Sequence, residues 1–183
     1  MWQVRVGMIV VMPVKLEGPL RDLNSWKPDG CSIVKALDIV GARSTMLILR
    51  ESIYGTTRFD GFAARVGITD AAAAAALRKL TDAGLLRKQP YRDEGKRTRN
   101  EYVLTEMGRD LLPAIFALWQ WGDKYLQGGV PPLERIEDTT GEPVRVELRS
   151  AGGDEVALED IRVRVNQDWR RARVGARDVT AQR

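Results

Sequence analysis

Four cations fall within eight residues, at Arg92, Lys96, Arg97 and Arg99, with Asp93 and Glu94 among them. Guanidinium and ammonium groups so placed bind phosphate, and arginine also suits a narrow minor groove. Upstream, Thr57 and Arg58 stand at the start of one predicted helix, where backbone N–H groups and a cation could hold another phosphate. Thr69 and Asp70 open a second predicted helix, followed by six alanines at 71–76 and then by Arg78. Hydroxyl and guanidinium groups can hydrogen-bond base edges, whereas alanine offers only a methyl that packs on thymine. These residue types recognise a polyanion; they do not make or break bonds.

Composition closes most other routes. The chain has 183 residues, no histidine and one cysteine. Histidine triads, histidine-ligated zinc and histidine general bases are excluded. Cys31 alone can form neither an intramolecular disulfide nor a thiolate cluster, which suits a reducing cytoplasm. The acids are scattered on helix faces beside Lys or Arg, with no constellation for catalysis, so an enzyme is not expected. No cofactor and no metal are expected either. The 29 Lys and Arg against 25 Asp and Glu give a net charge of +4, which fits a polyanionic partner without requiring one. No apolar run approaches the roughly 18 residues that span a bilayer, so no membrane partner is expected. The apolar run after Arg5 lacks a small-residue cleavage site and reads as a strand, or as an extension upstream of a start at Met8 or Met12.

The elements that must position the cations follow from periodicity. Ile33, Val34, Leu37 and Val40 recur at helical spacing, and Gly41 stops that helix. Ser44 or Thr45 starts the next, whose Met46, Leu47, Leu49, Ile53 and Tyr54 form a mostly buried face. Phe59, Phe62, Ala63 and Val66 face inward from a third helix that ends at Gly67. Thr69 or Asp70 caps a fourth, stopped by Gly84. Residues 85–92 and 100–105 read as strands joined by a polar loop too long for a tight hairpin. Helix–turn–helix followed by a basic hairpin describes a winged helix-turn-helix. Thr105 then opens one long helix, bent at Pro113, with an apolar stripe of Leu111, Leu112, Ile115, Phe116, Trp119, Gly122 and Tyr125.

The expected class is mainly α with small β: a winged helix-turn-helix domain at 31–127, preceded by an extension at 1–30. A linker around Gly128 leads to a short β extension at 128–166, and a basic flexible tail closes the chain at 167–183.

With these residues laid out, the chain resembles the HxlR-type winged helix-turn-helix regulators, relatives of the MarR type. The resemblance rests on CSIVKALDIVGARSTMLILRE, GTTRFDGFAARVGIT, ALRKLTDAGLL, EYVLTEMGRDLLP and LWQWGDKYL, across about residues 31–126. It implies a homodimer in which terminal helices pair, a DNA-binding unit in each subunit, and control of promoters near the regulator's own gene. Three departures stand out: Ser44 where many members carry Trp, the alanine run, and an extension without the CxxC pairs of some actinobacterial relatives.

Taking Leu77 and Leu80 as core contacts puts Ala73 and Ala76 inward and Ala72 at the boundary. Ala71, Ala74, Ala75 and Arg78 then face outward, with Thr69 and Asp70 at the leading end. Base hydrogen bonds fall to Thr69, Arg78 and Arg65, and readout leans on DNA shape and the wing. Dimerisation is assigned to Leu112, Ile115, Phe116, Trp119 and Tyr125, with Trp121 beside them. Cys31, at a helix start, is a candidate redox switch by resemblance, or simply a half-buried small residue. The function expected is a sequence-specific DNA-binding transcriptional repressor, cytoplasmic and homodimeric, acting on a two-fold operator of double-stranded DNA. A small molecule or an oxidant could be its effector. The rival reading is a winged-helix module that binds protein, or a sensor with weak DNA readout.

Overall fold

The computed structural model describes residues 14–22, 24, 30–95, 97–128 and 130–170. The chain forms two compact units, one of residues 31–146 and one of residues 1–30 with 147–183.

In the first unit, α1 (Ser32–Val40) runs from an N-cap at Cys31 to Gly41, whose N–H donates to the Leu37 carbonyl at 2.8 Å. The next helix, α2 (Arg43–Ile53), begins earlier than Ser44 or Thr45, because Ala42 already holds the extended N-cap conformation. Thr45 instead fastens α2 to the end of α1, since its buried hydroxyl donates to the carbonyls of Val40 and Ala42 at 2.9 and 2.7 Å. Then come α3 (Phe59–Val66) and α4 (Asp70–Asp82). Gly67 takes the left-handed conformation between them (φ 69°), so the Gly67 and Ile68 N–H groups both donate to the Ala63 carbonyl.

The wing is an antiparallel pair, β2 (Leu86–Tyr91) and β3 (Arg99–Leu104), with Leu86 opposite Leu104 and Tyr91 opposite Arg99. Beyond it, the single bent helix expected from the sequence is two: α5 (Glu106–Asp110) and α6 (Leu112–Leu126). Pro113 lies in the first turn of α6, where its missing N–H leaves no helical bond unmade. The proline therefore starts a helix and does not kink one.

Ile48, Leu49, Phe62, Leu77 and Leu80 are fully buried and join Val40, Ala76, Leu85, Leu86 and Ile115 in one core. Each large apolar side chain there contributes about 1.5–3 kcal/mol. The stripe of α1 does not belong to that core: Ile33, Val34 and Leu37 stay 69, 45 and 56 % exposed, and only Val40 of the four is buried. The small residues of α4 serve the core directly, since Ala73 and Ala76 are buried beside Leu77 and Leu80.

Residues 130–146 are held to α6 within this unit. Arg135 pairs with Asp123 at 2.7 Å and lies 4.8 Å from the Trp119 ring centroid. The Gln120 side-chain amide makes two bonds to the Val146 backbone, at 3.2 and 2.9 Å.

The second unit pairs β1 (Lys15–Leu16) with β4 (Arg162–Val163) in parallel, and Glu17 bonds Arg162 at 3.0 Å. The β extension expected at 128–166 holds little regular strand among the described residues: besides β4 it has the isolated bridges Ile136–Pro143 in the first unit and Arg149–Glu155 in this one. Residues 167–170 form a helical turn, with the Asn166 side chain accepting from the Asp168 N–H at 2.9 Å. The rest of the expected tail, and the apolar run after Arg5, lie outside the described residues.

Candidate nucleic-acid interface

The candidate recognition face lies on α4, the second helix of the pair. Thr69 is its N-cap, and the Thr69 hydroxyl accepts from the Ala72 N–H at 3.3 Å. With Ala73, Ala76, Leu77 and Leu80 fixed inward, the helical period turns Ala71, Ala75 and Arg78 to the outside, with Ala74 half-buried. Asp70 is exposed in the first turn. Ala74, expected on the outward face, is thus half-buried like Ala72, and the exposed face is a shallow methyl-lined surface ending in one guanidinium.

The wing cations Arg92, Arg97 and Arg99 are exposed, and Lys96 lies outside the described residues. Two of the remaining candidates are engaged with the wing. The Thr57 carbonyl accepts the Tyr102 N–H at 2.7 Å. Arg58, the N-cap residue of α3, bonds Asp93 at 2.9 Å and lies 4.4 Å from the Tyr91 ring centroid. Arg99 stands 3.8 Å from Asp60 on α3. Neither Tyr91 nor Asp60 was singled out by sequence, and Asp93 read only as a charge tempering the loop. A partner 35 residues away leaves no periodic trace.

Arg65 is placed differently from the expectation that it reads bases. Its Nε donates to Glu51, a buried acid that also accepts from Arg50. Burial pushes the Glu51 carboxyl up, but the hydrogen bonds from Arg65 and Arg50 outweigh it and hold the group below the usual glutamate range. Arg65 is thereby tied to α2.

The apolar stripe of α6 also divides. Ile115 is buried and Leu112 packs on the same core. Phe116 stacks on Trp119 with centroids 6.0 Å apart, and Trp119 also meets Tyr54 edge-on at 6.0 Å. Leu112, Phe116 and Trp119 thus make contacts within their own subunit while staying half-buried. Of the five assigned to dimerisation, Tyr125 stands open, and Leu118, Trp121 and Leu126 share its exposure. Cys31 is half-buried.

Among the described residues, no group of three or more His, Cys, Asp or Glu could hold a metal ion, and no helix is long and apolar enough to cross a membrane.

Residues 39–129 match the model of the HxlR-like helix-turn-helix family. An HTH-type transcriptional regulator of Mycobacterium tuberculosis is 44 % identical over 119 residues, which is 64 % of this chain and 74 % of that protein. The HTH-type transcriptional regulator YdeP of Bacillus subtilis is 33 % identical over 105 residues, 57 % of this chain and 80 % of its own. The crystal structure of PA1607, described as a transcription factor, superposes with a TM-score of 0.66 at 32 % identity, covering 76 % of this chain and 96 % of that one. A second transcription factor structure, from Pseudomonas aeruginosa, gives a TM-score of 0.54 at 32 % identity over 75 % of this chain and 93 % of that one. A winged helix-turn-helix with an open face on α4 and a cationic wing, so matched, makes this chain a member of the HxlR-like helix-turn-helix family of transcriptional regulators.

Proposed function

We propose that this regulator binds double-stranded DNA as a cytoplasmic homodimer, on a two-fold operator, and represses the promoter it covers. The observation that carries the reading is the open face of α4, with Ala71, Ala75 and Arg78 exposed on the same helix-turn-helix as the exposed wing arginines. An α-helix enters the major groove by such a face, and the wing supplies phosphate contacts. Thr69, Asp70, Ala71, Ala74, Ala75 and Arg78 are the base-facing set. Arg92, Lys96, Arg97 and Arg99 are the phosphate set.

The apolar faces of α1 and α6 support the dimer. Ile33, Val34 and Leu37 on one helix, and Leu118, Trp121, Tyr125 and Leu126 on the other, are surface that a subunit alone does not cover. Two subunits on one frame meet half-sites about 34 Å apart. If each subunit neutralises about four phosphates, the dimer's affinity falls with salt at a log–log slope of roughly −7.

Sedimentation velocity and fluorescence anisotropy test both parts together. The wild-type chain is expected to sediment as a dimer and to bind duplex DNA with that steep salt dependence. Trp121→Glu is expected to sediment as a folded monomer with weakened DNA binding. A wild-type monomer that ignores duplex DNA in dilute buffer overturns the reading. Repression is checked by deleting the gene and following a reporter on its own promoter, whose output is expected to rise.

A further inference from the structure

The wing is strapped to the N-terminal end of α3 at three points. The Tyr102 N–H donates to the Thr57 carbonyl, and Arg99 faces Asp60. The third strap is the most elaborate: Arg58 forks onto Asp93, with Nη2 2.9 Å from Oδ1 and Nη1 3.5 Å from Oδ2. The same guanidinium lies 4.4 Å from the Tyr91 ring centroid. Tyr91 ends β2 and Asp93 follows in the wing loop, so one arginine of the helix-turn-helix is held by two residues where β2 passes into that loop.

From this juxtaposition we infer that Arg58, Tyr91 and Asp93 are positioning residues. They fix the wing at the angle where its arginines and the open face of α4 meet one duplex together. The inference rests on the DNA-binding reading above. It also changes the part first expected of Arg58. A guanidinium forked on a carboxylate and lying over a ring has its direction set by those two partners, so it chiefly anchors the wing and does not grip a phosphate.

The sign of one substitution separates the two parts. An acid beside a DNA-facing loop repels phosphate, so an Asp93 with no other role would weaken binding, and its removal would tighten binding on every sequence. A strap reverses that sign. Without the Asp93 carboxylate, Arg58 is released and the wing must be ordered anew on each encounter, which opposes binding.

The test uses the full-length protein and a duplex that the wild type itself selects from random-sequence DNA. Affinity is measured by fluorescence anisotropy for Asp93→Asn, Asp93→Glu, Arg58→Ala and the Arg58→Ala/Asp93→Asn double variant. Asp93→Asn is expected to weaken binding about fivefold, the upper range for an exposed ion pair, although each subunit becomes more positive. Asp93→Glu is expected to recover most of that loss. The double variant is expected to bind no worse than Arg58→Ala, because each removes the same contact. The pair is exposed, so melting temperatures should stay close to wild type and report that the variants fold. Tighter or unchanged binding by Asp93→Asn overturns the inference, and so do additive effects in the double variant. A wild type that selects no duplex in dilute buffer overturns the DNA reading itself, and this inference with it, before any variant is compared.

Discussion

Arg65 of α3 donates its Nε hydrogen to Glu51 of α2, a residue only 2 % exposed. Arg50 donates to the other carboxylate oxygen, so one buried acid ties the two helices together. The triad is asymmetric, because both arginines reach solvent while the acid does not. Removing the acid lets two cations hydrate; removing both cations strands a buried charge. Glu51→Gln is therefore expected to cost about 1–3 kcal/mol. The Arg50→Ala/Arg65→Ala pair is expected to cost more, about 3–5 kcal/mol. Urea denaturation at neutral pH measures both, and a smaller loss in the double variant contradicts the account.

The same triad carries a pH dependence. Glu51 titrates below the ordinary glutamate value of about 4.5 in the folded chain. A carboxyl whose folded pKa is depressed adds stability above its unfolded pKa, and that stability is lost as pH falls through the folded value. Denaturation midpoints of the wild type should drop more steeply than those of Glu51→Gln as pH falls from about 5 through the folded Glu51 value. Parallel curves would assign the acid sensitivity to other carboxylates.

Two helical glycines should respond oppositely to alanine. A Cβ at Gly108 would stand 2.2 Å from the Leu85 carbonyl oxygen, whereas one at Gly122 would meet nothing within 4 Å. Gly108 lets α5 lie against the start of the wing, where Thr105 also donates its hydroxyl to the Gly84 carbonyl at 2.6 Å. Gly108→Ala is expected to destabilise by about 1–3 kcal/mol. Gly122→Ala is expected to stabilise by about 0.5–1 kcal/mol, because alanine loses less entropy in a helix. Thermal unfolding at one protein concentration ranks the three proteins. A destabilised Gly122→Ala would mean that a neighbour outside this subunit fills the space.

What the sequence made legible was whatever repeats at the helical period inside one element. The inward set of α4 (Ala73, Ala76, Leu77, Leu80) follows from three- and four-residue steps, and so does its outward set. Periodicity cannot say what an apolar stripe faces: Ile33, Val34 and Leu37 recur at helical spacing with Val40, yet only Val40 is buried. It likewise gave α6 one continuous interface, although Ile115 and Trp119 are used within the subunit. Contacts across long separations were not legible at all. Arg65, expected to read bases, is bound to Glu51, 14 residues earlier in the chain, and β4 pairs with β1 from the far end of the chain. The α5–α6 break escaped because proline is tolerated both at a bend and in a first turn.

Cys31 caps α1 without any hydrogen bond from its side chain. Serine in its place is expected to accept from a first-turn N–H and to stabilise the chain by about 0.5–1 kcal/mol. The substitution also removes the chain's one thiol. Because α1 carries an open apolar face, oxidation of Cys31 would act where a second copy is proposed to bind. Peroxide is expected to weaken DNA binding by the wild type and leave Cys31→Ser unaffected. An equal response in both proteins removes the switch.

Arg97 and Arg78 should fail in different ways. Both are exposed, but Arg97 lies in the wing loop and Arg78 lies on α4, one turn beyond Ala74 and Ala75. A lost phosphate contact weakens binding on every duplex and flattens the salt dependence. Arg97→Ala should therefore lower the log–log slope by about 0.9 per subunit, or about 1.8 in a dimer. A lost base contact leaves the slope almost unchanged but erases discrimination at one position, worth about 1–3 kcal/mol. Arg78→Ala should thus bind the selected duplex and its single-base variants nearly alike at the affected pair. Salt titrations on both variants, run against a panel of substituted duplexes, separate these outcomes. An Arg78→Ala variant that flattens the slope and keeps full discrimination would mean that α4 meets the duplex by another face, with Arg78 against the backbone.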